Sequence, residues 1–140
     1  MDLPGLENVL VQGVKLAPND ASVAGSLPVL VWKNKRQLDH KRLKAEALRH
    51  GETHTVGFFL DLTGRLGGDQ TLVAAAREYR DHRRRQPKDF FPVKSSYERE
   101  LAERRTPPVA RDWRFRMNLS MESLSTTFEK FTRNAQIQGR

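Results

Sequence analysis

Between residues 39 and 79 the chain carries one helix start or stop signal after another. Asp39 is placed to cap a helix from His40 to about His50, and Gly51 stops it. Leu38 and Leu43 occupy the N′ and N4 positions, where two apolar side chains clasp as a staple. A second helix is expected from about Thr53 to Leu66. Val56, Phe59, Leu60, Thr63 and Leu66 recur there at helical spacing, and Phe58 and Leu62 widen the buried face. Gly57 and Gly64 weaken this helix locally. Gly67-Gly68 end it, and Asp69 caps a third helix bearing Leu72, Val73, Ala75, Ala76 and Tyr79. Three amphipathic helices joined by short glycine turns bury their apolar faces against one another. The fold class that follows is mostly α with a minor β component: a compact three-helix unit plus a C-terminal strand-helix or long helix.

The flanks are less regular. Residues 8–16 are rich in β-branched side chains and read as a strand with a bulge at Gly13. Asp20 suits the cap of a short helix through Ala24. Ser26 suits the start of another with Pro28 in its first turn, although the apolar run after Pro28 fits a buried strand equally well. Arg83 to Lys88 reads as a basic linker. Ser95 and Glu98 form a capping box for a helix through Arg105, which Pro107-Pro108 end. From Trp113 to Met121 apolar and polar residues alternate, as in a strand with one buried face. Trp113, Met117, Met121, Leu124, Phe128 and Phe131 also fit one long helix; the favoured reading is a strand, then a helix from about Glu122 to Asn134. Residues 1–86 are expected to form a helical domain with an N-terminal strand, and 87–140 a C-terminal extension packing on it or on a partner.

Charge narrows the function classes. The net charge is +8, of which residues 69–140, with sixteen basic and ten acidic side chains, hold +6. A field of that sign attracts nucleic acid, an anionic surface or an acidic protein. The run Leu27-Pro28-Val29-Leu30-Val31-Trp32 is too short to span a bilayer, so no membrane insertion is expected. Asp2, Pro4 and Glu7 show no secretory pattern, and the lack of cysteine removes disulfides, thiolate zinc sites and cysteine nucleophiles. A cytoplasmic protein is the expectation.

Few motifs suggest chemistry. Leu48-Arg49-His50-Gly51-Glu52-Thr53 resembles the Arg-His-Gly-Glu-Thr signature of the histidine phosphatases, a likeness that would make His50 the phosphoryl acceptor and Arg49 its anchor. That family's motif follows a buried strand, whereas Lys41 to Ala47 is a charged helix, and His82 lacks a glycine companion. His50 and His54 stand four apart, a metal-like spacing interrupted by Gly51 and without an obvious third ligand. The expectation is no catalytic residue, no metal and no cofactor.

The cations carry more. Lys41 and Lys44 lie in the first helix, Arg77, Arg80, Arg83, Arg84 and Arg85 end the third, and Arg114, Arg116 and Asn118 share the exposed face of the C-terminal strand. Arginines and an asparagine on a strand suit guanine and adenine edges in a major groove. The strand and following helix resemble the first half of a ribbon-helix-helix repressor. Leu27 to Trp32, Leu38-Asp39, Leu43, Ala47 and Gly57 to Thr63 resemble a helical region of abortive-infection antitoxins of the AbiEi type. That resemblance implies a module that binds a protein partner. The expected function is a non-catalytic basic binding module docking nucleic acid or another acidic surface, through Arg83, Arg84, Arg85, Arg114, Arg116, Asn118, Lys41 and Lys44. The alternative is a protein–protein component, such as an antitoxin or an assembly subunit able to self-associate, with Phe90, Phe91 and Trp113 as aromatic anchors.

Overall fold

The structure, a computed structural model, describes residues 5–138. Asp2 and Pro4, read above for a leader, lie outside them. Among the described residues the order is α1 (Leu6–Leu16), a 3₁₀ turn (Ala17–Asn19), α2 (Ala21–Asn34), α3 (His40–Arg49), α4 (Thr53–Gly67) and α5 (Gln70–Ala76). A second 3₁₀ turn (Arg77–Tyr79) precedes β1 (Lys88–Asp89), α6 (Ser96–Arg105), α7 (Pro108–Asp112), β2 (Phe115–Arg116) and α8 (Met121–Gln138). The chain is mostly helical with one small sheet, as its sequence predicts.

The caps act where they were read. Asp39 accepts from the Arg42 amide, and Asp69 from the amides of Thr71 and Leu72. Thr71's hydroxyl and, second, Lys35's ammonium hold the Asp69 carboxyl well below the usual carboxylate range. Ser95 accepts from the Glu98 amide, while the Glu98 carboxylate accepts from Lys94 rather than from Ser95. Gly68 ends α4 in the left-handed region at φ +68°, which glycine enters without penalty.

Helix α4 is the centre. It is buried continuously from Val56 to Gly64 and packs against α1, α2, α3, α5 and α7. A helix apolar on every side belongs in a core. Its glycines are contact points: a Cβ on Gly57 would lie 2.5 Å from Tyr79 Cβ and 2.7 Å from the Trp113 ring, and Gly67 lies under the Trp32 ring. One apolar cluster joins Leu10 through Tyr79 with Phe90 through Leu124, so residues 90–124 pack on the helical part of the chain.

Three expectations are corrected. Residues 8–16 are helical: Glu7, Leu10, Val11 and Val14 bury one helical stripe against α2 and α3, and that burial outweighs the β propensity of the valines. Gly13 is no bulge; it allows Leu27 of α2 to approach, 2.9 Å from where a Cβ would stand. Residues 21–34 form one helix with Pro28 inside it, neither two helices nor a strand; the Asp20 cap starts it early, and burial of Leu27, Val29 and Val31 offsets the hydrogen bond that Pro28 cannot donate.

The C-terminal strand shrinks to two residues. β2 pairs in parallel with β1, Lys88 opposite Phe115 and Asp89 opposite Arg116. Arg114 just before it takes φ 62°, a left-handed bend that turns the chain out of α7. The Thr106 hydroxyl then accepts from the Met117 amide and ends the ladder. Burial still alternates: Trp113, Phe115 and Met117 face inward. Ser120 accepts from the Ser123 amide to open α8, which lies along α2 with Phe128 edge-on to Trp32 at 5.5 Å.

Candidate nucleic-acid interface

The cationic segment after α5 is built on a buried tryptophan. Trp113, 1% exposed, lies on the flat face of α4 that Gly57 provides. Its indole N–H donates to Asp61 at 2.7 Å, and its carbonyl accepts from His54 Nε2 at 2.7 Å. His54, Gly57 and Asp61 stand three and four apart along α4, so one helix face grips the tryptophan at both ends. His54 Nδ1 accepts from the Asp81 amide at 3.0 Å, which ties down the segment that follows Tyr79. With one ring nitrogen accepting and the other donating, the imidazole is neutral. Burial is the chief cause that holds its pKa below the ordinary histidine value; Arg84 and Arg80 add to it, while the Trp113 carbonyl and Asp81 oppose it.

On this platform the arginines are sorted. Arg80 places its guanidinium over the Trp113 ring, 4.6 Å from its centre, and Arg84 stands 5.4 Å from the Phe115 ring. Neither has a carboxylate partner among the described residues. Arg83 turns back onto Asp81, its Nε 3.1 Å from Oδ1, and Arg85 is exposed. From α3, Lys44 approaches the Tyr79 ring at 5.9 Å, and Lys41 is exposed one turn earlier. Arg84, Arg83, Lys44 and Arg80 thus gather around residues 79–84.

Two clefts meet at Arg80. One, of ≈ 390 Å³, is lined by Asp61, Arg65, Val73, Arg77, Arg80, His82, Asp112 and Trp113. The other, of ≈ 380 Å³, includes Leu48, His54, Glu78, Tyr79, Arg83 and Arg84. A larger groove of ≈ 590 Å³ lies between the start of α2 and residues 91–94; its carboxylates Asp20 and Glu98 are used as helix caps, and its one cation is Lys94.

The expected strand face is placed differently. Arg116 lies in ion pairs with Asp89 at 3.1 Å and Glu103 at 3.8 Å, and Asn118 accepts from Arg105 at 3.2 Å. Arg114 is exposed. With β2 only two residues long and paired inside the chain, these side chains form no continuous ribbon. Phe90 and Trp113 are core, packed on Phe59 and Gly57, and offer no face to a partner; Phe91 is half-buried, edge-on to Phe90 at 4.9 Å.

Arg65, Arg77, Arg80 and His82 were not singled out as site residues from sequence. Arg77 and Arg80 line one cleft and Arg80 and Arg84 the other, and no helical spacing encodes this because the helix ends at Ala76. His54 and Asp61, two polar residues on an apolar helix face, were the sign of the clamp. The histidine pair is separated: His50 closes α3, with Nδ1 3.4 Å from Lys15 and Nε2 3.7 Å from Glu46, whereas His54 serves Trp113. Arg49 lies 3.5 Å from Glu46. Among the described residues no helix is long and apolar enough to cross a membrane.

No family model, no curated protein and no solved structure matches the chain.

Proposed function

We propose that the chain is a non-catalytic module that docks nucleic acid through the surface centred on Arg80 and Arg84, flanked by Arg77, Arg83, Arg85, Lys41 and Lys44. One observation carries this reading. Two arginines without a carboxylate partner among the described residues lie over aromatic rings of the core, Arg80 4.6 Å from Trp113 and Arg84 5.4 Å from Phe115. A guanidinium held over a ring rather than paired with a carboxylate keeps its donors available for bidentate contact with phosphate oxygens. It also fixes the side chain on folding, so less conformational entropy is lost on binding. The net charge of +8 supplies the long-range attraction.

A second reading has its own support. Leu48, 64% exposed, lines the cleft beside Arg83 and Arg84. An apolar side chain among cations suits an acidic protein surface with an apolar centre. Binding to a random-sequence duplex across a salt series separates the two. Nucleic-acid docking predicts a log–log slope steeper than about −3, from several phosphate contacts at roughly −0.9 each. Absence of binding at low salt, or a flat slope, overturns it.

A further inference from the structure

The cleft on the other side of Arg80 has chemistry of its own. Three guanidinium groups, Arg65, Arg77 and Arg80, line it with the His82 imidazole. Two carboxylates share it and are not equivalent. Asp61 is 6% exposed and both its oxygens are occupied, one accepting from Arg65 Nε at 2.8 Å and the other from the Trp113 indole at 2.7 Å. It therefore orients Arg65 rather than competing for a ligand. Asp112 is exposed and makes no ion pair with a described residue. Arg65 gives only its Nε to Asp61, so its two terminal amino groups make no hydrogen bond to a described residue. Arg80 is held by its stack on Trp113, and Arg77 has no carboxylate partner among the described residues. A group that satisfies this set is compact, anionic and rich in acceptors on all sides.

We propose that the Arg65–Arg77–Arg80–His82 cleft is the seat of a single phosphate group. Arg80, fixed on the tryptophan, forms its back wall. Arg77 and the terminal amino groups of Arg65 close on the remaining oxygens, and His82 donates an N–H. Asp112 at the edge opposes the anion. The inference rests on the reading above for the source of the phosphate, either an internal phosphodiester or a strand's terminal phosphomonoester; the cleft itself does not depend on that reading.

Trp113 lines the cleft and its indole N–H is bonded to Asp61, another lining residue, so its resonance reports on the cleft, with Trp32→Phe assigning its signal. Inorganic phosphate, titrated against chloride at constant ionic strength, is expected to move the Trp113 indole resonance saturably. Arg77→Gln and Arg80→Gln should each weaken that affinity by about tenfold, the scale of one charge-assisted hydrogen bond, and Asp112→Asn should strengthen it. A shift that never saturates, or one unchanged in both arginine variants, overturns the site. Displacement of phosphate by oligonucleotides with and without a 5′-phosphate identifies the source: equal displacement supports an internal phosphodiester, and about tenfold preference for the phosphorylated end supports a phosphomonoester. If inorganic phosphate binds but neither oligonucleotide displaces it, the cleft stands and the nucleic-acid reading falls. If the duplex binds while phosphate leaves the indole unmoved, the reverse holds.

Discussion

At the scale of single residues, Gly57 and Arg114 show local preference yielding to tertiary need. By helix propensity alone Gly57→Ala should stabilise α4 by about 1 kcal/mol. The new Cβ would lie 2.5 Å from Tyr79 Cβ and 2.7 Å from the Trp113 ring, and neither partner is a flexible chain end. Overpacking of that kind costs about 1–3 kcal/mol. Gly57→Ala is therefore expected to lower stability in urea unfolding, and a gain would show that Trp113 does not rest on α4. Arg114 presents the opposite case: its φ of 62° is strained for an L residue with a side chain. Arg114→Gly should raise stability by about 1 kcal/mol, measured as a higher urea midpoint at unchanged m-value.

At the scale of elements, His54 links α4, the segment after Tyr79 and the end of α7 through two hydrogen bonds, and this makes their docking pH-dependent. The group sits in its neutral form with a folded pKa below 6.5, because burial, then Arg84 and Arg80, disfavour the imidazolium. The unfolded chain therefore takes up the proton first as pH falls. Its contribution to stability is complete above about 6.5 and is lost as pH drops toward the folded value. The urea midpoint should fall from pH 7.5 to 5.5, and the fall should shrink in His54→Gln; a midpoint that holds steady or rises over that range would contradict the role. The elements also show what is legible in sequence. α3, α4 and α5 were readable because their signals are local: an aspartate cap, an apolar period and a glycine stop. α1 was not, since Val9, Val11 and Val14 advertise a strand while the stripe of Glu7, Leu10, Val11 and Val14 becomes decisive only when α2 and α3 cover it. β1 and β2 are two residues each, too short for any periodicity to reveal. For the site, the cationic run after α5 was visible in the sequence. Which arginine stacks on which ring depends on contacts between residues 80–84 and 113–115, far apart in the chain, which no local pattern encodes.

At the scale of the molecule, some cations are paired within the chain and others are not. Arg116, Arg99 and Lys35 face carboxylates of their own chain and help hold elements together, whereas Arg80 and Arg84 lie over core rings with no carboxylate partner among the described residues. Ion pairs at partly exposed sites add little stability, so their main consequence is to neutralise those cations locally. The proposed docking surface is the turn around Arg80 and Arg84, where cations without a carboxylate partner among the described residues lie over core rings. Duplex affinity, measured over a salt series for Arg80→Gln/Arg84→Gln beside a charge-matched control, Arg104→Gln/Lys130→Gln, tests this most directly. The account predicts a loss of roughly tenfold to a hundredfold and a slope shallower by about 2 for the first pair, with less than about threefold change for the control. Equal losses in both pairs, or none in either, would contradict it.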